Sequence, residues 1–167
     1  MLTTERLVLR RPALEDFEGM LEVWSASPAP PVRRSREEVW ARLLRFIGHW
    51  QVFGYGPFIL LDRATGATVG EAGFLRFERG LGPGCDGAAE ATWTLIAGRR
   101  GEGLAGEAMA AIAGWFDAAA GIERTIAMIA GDNHPSLKLA DRLGYREWRA
   151  AVYSQTPVLL LERLREG

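Results

Sequence analysis

Two arginines and three glycines open a helix in the stretch RRGEGLAGEA, Arg99 to Ala108. Glycine costs about 1 kcal/mol against alanine inside a helix, so this pattern suits a backbone that something approaches closely. The first N–H groups of a helix lack partners, and the helix dipole is positive there. Glycines let such a backbone curl round an anion, and Arg99 or Arg100 can add charge-assisted hydrogen bonds. The chemistry on offer is the binding of a pyrophosphate. A plain strand-to-helix turn would use the same glycines and bind nothing. Gly101, Gly103 and Gly106 also spell the G-x-G-x-x-G of a dinucleotide site, with Asp132 placed as a ribose ligand. Context argues against that site: Ala97 to Arg100 separate the strand from the first glycine, and too little chain follows for the further parallel strands. A nucleoside-triphosphate loop is excluded because no Gly-Lys-Ser/Thr follows.

Two carboxylates stand where acid–base chemistry is possible. Glu90 begins a strand and shares a face with Thr92 and Thr94; it is either a working carboxylate or an exposed strand end. Glu71 interrupts the apolar run VGEAGF, where a carboxylate needs a reason to be buried, such as a reaction or an ion pair with an arginine. His49 titrates near neutrality, but its place on a helix fits a packed or surface histidine better than a base. Two histidines and the single Cys85 form no recognisable metal cluster.

The elements that position these residues are legible in the periodicity. ERLVLRRP alternates as a short strand ending at Pro12. Residues 13–25 carry Leu14, Phe17, Met20, Leu21 and Trp24 at helical spacing. SASPAPPVRRS is a proline-rich loop. Ser35 and Glu38 make the S-x-x-E capping box of a second helix bearing Val39, Leu43, Phe46, Ile47 and Trp50. PFILLD and TVGEAGFLRF flank the turn RATG as a hairpin, and GLGPGCDG reads as a flexible loop. EATWTLI is a strand with Ala91, Trp93 and Leu95 on one face. The helix of 104–119 follows, with Leu104, Ala108, Ile112 and Phe116 four apart. RTIAMIA is apolar throughout, as in a strand buried on both faces. A short helix over 135–143 ends at Gly144, and strands at about 145–153 and 157–164 follow. The strand–helix–strand unit around the glycine loop should have a right-handed crossover.

With these elements in place the chain resembles a known family. RGEGLA at Arg100–Ala105 fits the R/Q-x-x-G-x-G/A motif of the GNAT N-acetyltransferases. TTERLVLRRPALEDFEGM, GLAGEAMAAI and NHPSLKLADRLGYRE are similar to the corresponding segments of its ribosomal-protein-acetyltransferase-like (RimJ/RimL-type) branch. The resemblance covers essentially the whole chain. It implies one domain over 1–167, a mixed α/β fold with a mostly antiparallel central sheet of about seven strands, a splayed parallel pair, and helices on both faces. It implies acetyl-CoA as cofactor, with Arg99, Arg100, Gly101, Glu102, Gly103, Leu104 and Ala105 around the pyrophosphate. The main chain of Leu95, Ile96 and Ala97 should pair with the pantetheine arm, helped by Asn133 and Ser136. A backbone N–H there could polarise the thioester carbonyl.

The implied reaction is direct attack by a primary amine, either a protein N-terminus or a small molecule. Glu90 is the first candidate to take the amine proton and Glu71 the second. Many family members place a tyrosine seven residues after the asparagine; here that position is Ala140, and Ser136 is the hydroxyl available to the departing thiolate. Ser136 and Asn133 equally suit plain helix-start roles. Tyr145 aligns with a packed aromatic. Trp40, Trp50, Phe53 and Tyr55 cluster near the expected acceptor pocket, as ordinary core or as its wall. A homodimer is common for this type. A non-catalytic acyl-CoA-binding module of the same fold is the rival reading.

Bulk properties agree. The chain has 167 residues, 48% hydrophobic and 25% charged, with a net charge of −1, which suits one soluble domain. No basic excess points to nucleic acid. No run approaches the ~18 apolar residues of a membrane span. MLTTERLVLRR lacks a signal-peptide core, and the lone cysteine fits a reducing compartment, so the expected address is the cytoplasm.

Overall fold

A single twisted sheet organises the chain. In the computed structural model, which describes residues 1–25 and 34–165, the elements run β1 (Leu2–Thr3), β2 (Leu7–Arg10), α1 (Phe17–Ser25), α2 (Arg36–Phe53), β3 (Pro57–Asp62), β4 (Thr68–Arg76), β5 (Ala89–Leu95), α3 (Leu104–Ala119), β6 (Arg124–Ala130), α4 (His134–Arg142), β7 (Arg146–Tyr153) and β8 (Thr156–Leu164). Single 3-10 turns precede α1 and follow β5. The strands lie in the order β1-β2-β3-β4-β5-β6-β8-β7, and only β5 and β6 pair in parallel. Eight strands form where the sequence predicts about seven. The extra one is the two-residue β1, which pairs with β2 and is too short to show a period. Most of the proline-rich segment, residues 26–33, lies outside the described residues.

Alternation along the strands builds two large cores, beside a third, small one of Cys85, Ile126 and Leu160. Phe58, Leu60, Ala72 and Phe74 face Leu104, Ala108, Met109, Ile112 and Phe116 of α3. The intervening Ile59 and Leu75 meet Met20, Val23, Leu43 and Phe46 of α1 and α2. Helices therefore cover both faces, as the sequence predicts. Phe116 is fully buried and stacks on Phe74 with ring centroids 4.1 Å apart; burying such a side chain is worth about 2–3 kcal/mol. The capping box of α2 forms as its spacing requires: Ser35 Oγ accepts from Glu38 N–H at 3.2 Å, and Glu38 accepts from Ser35 N–H at 2.7 Å.

Residues 80–87 depart from the flexible loop expected of them. The Asp86 carboxylate accepts the backbone N–H groups of Arg79, Gly80, Leu81 and Gly82 at 2.8–3.3 Å. These bonds, led by the one from Gly82, hold its carboxyl below the usual range. A run rich in glycine is thus drawn round one carboxylate, and it delivers Arg79 to the sheet.

His49 pins α2 to the sheet. Its Nδ1 lies 2.7 Å from the Tyr55 carbonyl, and its Nε2 accepts the Arg76 N–H at 2.9 Å. This assigns the neutral Nδ1–H form and leaves neither nitrogen for a substrate. Burial pushes its pKa below the ordinary value, and Arg45 adds to this against the opposing bond to Tyr55. A histidine with a depressed folded pKa stabilises the fold above about pH 6.5 and loses that contribution as pH falls towards the folded value. Thermal melts should show stability dropping below pH 6.5, and His49→Gln should flatten that drop. An equal drop in the variant would contradict the pinning role.

Candidate active site

The glycine loop and the opening in the sheet lie at successive points of one βαβ unit. β5 and β6 pair only at Ala89–Thr125 and Glu90–Ile126, then separate. On its other edge β5 stays paired with β4 through to Gly70–Leu95. The bond from Ile96 N–H to Val69 O at 2.9 Å sets the phase of that ladder. Even-numbered residues of β5 spend their main-chain groups on β4, and Ala91, Trp93 and Leu95 turn theirs towards the gap. Of the three residues the sequence predicts for the pantetheine arm, Leu95 turns its N–H to the gap while its carbonyl accepts from Arg100 Nε, and the Ile96 N–H is taken. Ala97 enters the 3-10 turn. Ala91 and Trp93 also turn main chain to the gap, which sequence reasoning misses because strand phase depends on pairing with β4.

The gap forms a cleft of about 200 Å³ that includes Arg79, Glu90, Thr92, Trp93, Asn133 and Ser136 in its lining. On the α4 side, the Asn133 Oδ1 accepts the Ser136 N–H at 3.2 Å and caps α4. The Trp93 indole N–H donates to Ser136 Oγ at 3.2 Å. With that lone pair engaged, the Ser136 hydroxyl proton is left to donate elsewhere. On the opposite side Glu90, only 5% exposed, holds Arg79 through two parallel bonds, Nε–Oε2 2.8 Å and Nη2–Oε1 2.7 Å. Burial lowers the Arg79 pKa, but the bonds to Glu90 more than reverse this, so the guanidinium sits above its ordinary value. Arg79 is the second feature missed in the sequence, where it looks like one more loop arginine.

Glu71 lies away from this cleft. It is 1% exposed and ion-paired with Arg42, whose Nε donates to Oε1 at 2.8 Å, and the Trp24 indole N–H reaches its other oxygen at 3.3 Å. This is the arginine partner that its interruption of an apolar strand suggests. Removing one charge from a buried pair typically costs about 3–5 kcal/mol, whereas replacing both with apolar groups can be neutral. Glu71→Gln should therefore lower the midpoint of denaturant unfolding sharply, and Glu71→Leu with Arg42→Met should recover much of the loss. Equal damage in single and double variants would contradict this.

The start of α3 is built differently from those of α2 and α4. No side chain caps it, whereas Ser35 caps α2 and Asn133 caps α4. Gly101 and Gly103 sit at φ +83° and +81°, a conformation that favours glycine. A Cβ at Gly101 would meet nothing, and one at Gly103 would come no closer than 3.7 Å to Arg6 Nη2. Open space thus lies above these amides. Leu104 is buried in the α3 core and presents only its main chain there, while Ala105 is half-buried.

The arginines around this loop divide by partner. Arg99 bonds Asp62 at 2.9 Å and Glu102 at 3.0 Å, and its bond holds the Asp62 carboxyl down at about 2. Arg6 is tied to Glu107 at 2.7 Å and to the Glu102 carbonyl at 2.9 Å. Arg100 has no acidic partner among the described residues, and its Nε donates to the Leu95 carbonyl at 3.2 Å. Arg100 is thus the cation left over for an anion.

The four aromatic residues of α2 and the turn after it are not among those lining the cleft, and the core reading holds for two of them. Trp50 and Tyr55 are core, while Trp40 and Phe53 lie at the surface of α2, 40% and 41% exposed. Tyr145 is core as well; burial raises its hydroxyl to about 12, and that hydroxyl lies 2.8 Å from Thr125 Oγ1. No helix among the described residues is long and apolar enough to cross a membrane.

The sheet splits beside an uncapped glycine-rich helix start, and comparison places the chain in a family. Residues 6–146 match the acetyltransferase (GNAT) domain, and the chain belongs to the GNAT acetyltransferase family. A GnaT-family protein from Bordetella pertussis shares 37% identity over 97% of this chain and 98% of its own, with a TM-score of 0.92. An acetyltransferase from Agrobacterium tumefaciens strain C58 shares 25% identity over 98% and 94%, with a TM-score of 0.81. RimL, the ribosomal L7/L12 α-N-protein acetyltransferase, solved with coenzyme A, shares the fold at 15% identity over 98% and 96%, with a TM-score of 0.74. No curated protein sequence matches the chain.

Proposed function

We propose that the chain transfers the acetyl group of acetyl-CoA to a primary amine by direct attack within a ternary complex. The observation that carries this reading is the separation of β5 from β6 beside the uncapped start of α3. The diphosphate would rest on the amides of Gly101 to Ala105, with Arg100 supplying charge and with Arg99 and Glu102 shaping the loop. The pantetheine arm would run between β5 and β6 along the main chain of Ala91, Trp93 and Leu95, past Asn133 and Ser136. A main-chain N–H of β5 would steady the charge that develops on the thioester oxygen.

Glu90 takes the proton released by the amine, and the Ser136 hydroxyl donates towards the departing sulfur. A thiol pKa near 8.5 makes a strong acid unnecessary there. Glu71, saturated by Arg42 and Trp24, serves the fold that holds the cleft. Likeness in fold to ribosomal-protein acetyltransferases such as RimL supports a relation to the RimJ/RimL branch, in which the acceptor would be a protein N-terminus. A small-molecule amine is the other acceptor class.

The test is thiol release from acetyl-CoA across a panel of amines and N-terminal peptides, with calorimetry of coenzyme A binding alongside. Turnover with at least one acceptor is expected. Tight binding with no turnover on a broad panel would instead indicate an acyl-CoA-binding module.

A further inference from the structure

The acceptor side of the cleft carries two opposite charges that serve as each other's counter-charge, with the Tyr153 hydroxyl as a further hydrogen-bond partner of Arg79. The Arg79 guanidinium grips both oxygens of Glu90 at 2.7 and 2.8 Å, and its side chain is 17% exposed against 7% for Glu90. The guanidinium carbon lies 4.0 Å from the Phe77 ring centroid and 4.8 Å from that of Tyr153, so the fork is held between two aromatic faces. Both charged groups line the cleft. In this state the oxygens that would accept an amine proton are occupied. An amine that displaced Arg79 from Glu90 would leave a largely buried guanidinium without a counter-charge, which is costly. A polyamine would fare worse, since each further cation would meet Arg79.

We infer that the acceptor is a zwitterion, an α-amino acid or close analogue, whose ammonium docks on Glu90 while its carboxylate takes over the Arg79 guanidinium. One internal ion pair is exchanged for two external ones, and neither buried charge is left alone. The two acceptor groups sit one carbon apart, matching side chains that already touch. This inference rests on the acetyl-transfer reading above, and it makes Arg79 a specificity-determining residue. Once Arg79 turns to the carboxylate, Glu90 is free to act as a base. The ammonium gives one proton to Glu90, and the nitrogen lone pair forms the N–C bond at the acetyl carbonyl. The C–S pair leaves with sulfur as the thiolate of coenzyme A, the second N–H proton neutralises that thiolate, and Glu90 returns its proton to water.

The experiment uses the intact protein with acetyl-CoA and matched acceptors: free leucine, methionine and phenylalanine, their carboxamides, their decarboxylated amines, and short peptides with the same N-terminal residues. Loss of a charge-assisted bond predicts a kcat/KM for the free amino acid about 10- to 100-fold above that of its carboxamide and amine. In Arg79→Gln that ratio should fall to about 1, a change that general loss of stability would not produce. Calorimetry of coenzyme A with the variant checks that the fold survives. If that variant does not fold, Arg79→Lys, which keeps the charge but loses the fork, should narrow the ratio instead. Carboxamides, amines or peptides turned over as fast as the free amino acids would overturn the zwitterion and leave acetyl transfer standing. Coenzyme A binding with no turnover of any acceptor would overturn both.

Discussion

Replacing Gly103 with glutamate should weaken coenzyme A binding by on the order of 10- to 100-fold, since a carboxylate would stand directly beside the diphosphate at the start of α3. Two effects contribute. Gly103 sits at φ +81°, and a left-handed backbone costs an ordinary residue roughly 1–2 kcal/mol. The carbon itself fits, since a Cβ there would come no closer than 3.7 Å to Arg6 Nη2. Gly103→Ala therefore isolates the strain: it should lower the melting temperature and cost little affinity. Gly103→Glu adds the charge, and calorimetry should show the difference. Unchanged affinity in Gly103→Glu would remove the α3 start as the diphosphate site.

Replacing Glu90 with glutamine should cut turnover by about 100-fold or more, the usual range for loss of a general base. Affinity for coenzyme A should hold, because Glu90 is held by Arg79 and is not among the residues proposed to hold the cofactor. The variant also strips Arg79 of its partner, so unfolding must be measured beside kinetics; loss of a largely buried partner is expected to destabilise by a few kcal/mol. Kinetics beside calorimetry separate the two effects: a folded variant should lose turnover while it still binds coenzyme A. Wild-type turnover in a folded Glu90→Gln variant would dismiss Glu90 as the base.

Much of this architecture is readable in local pattern. The spacing of Leu104, Ala108, Ile112 and Phe116 places α3, S-x-x-E places the start of α2, and RTIAMIA places a strand buried on both faces. The glycine loop and its arginines are likewise visible, because backbone freedom and charge are properties of residue type. The rest depends on pairing. Whether Ile96 or Leu95 offers its main chain to the gap follows from the bond between Ile96 and Val69, which no periodicity encodes. The partners of Glu71 and Glu90 come from 29 and 11 residues away. The same sequence logic flags both carboxylates, and only three-dimensional neighbours separate the one locked behind Trp24 and Arg42 from the one that opens on the cleft. His49 belongs to the same class: its two backbone partners come from the residues after α2 and from the end of β4.

The central claim is that one ligand spans the start of α3 and the gap between β5 and β6. A crystal structure of the protein soaked with coenzyme A at high concentration tests it most directly. The diphosphate should be found on the amides of residues 101–105, and the thiol arm should lie between Ala91–Leu95 and the end of β6, reaching towards Ser136 and Glu90. Electron density for the nucleotide elsewhere on the molecule, with that gap left empty, would contradict it.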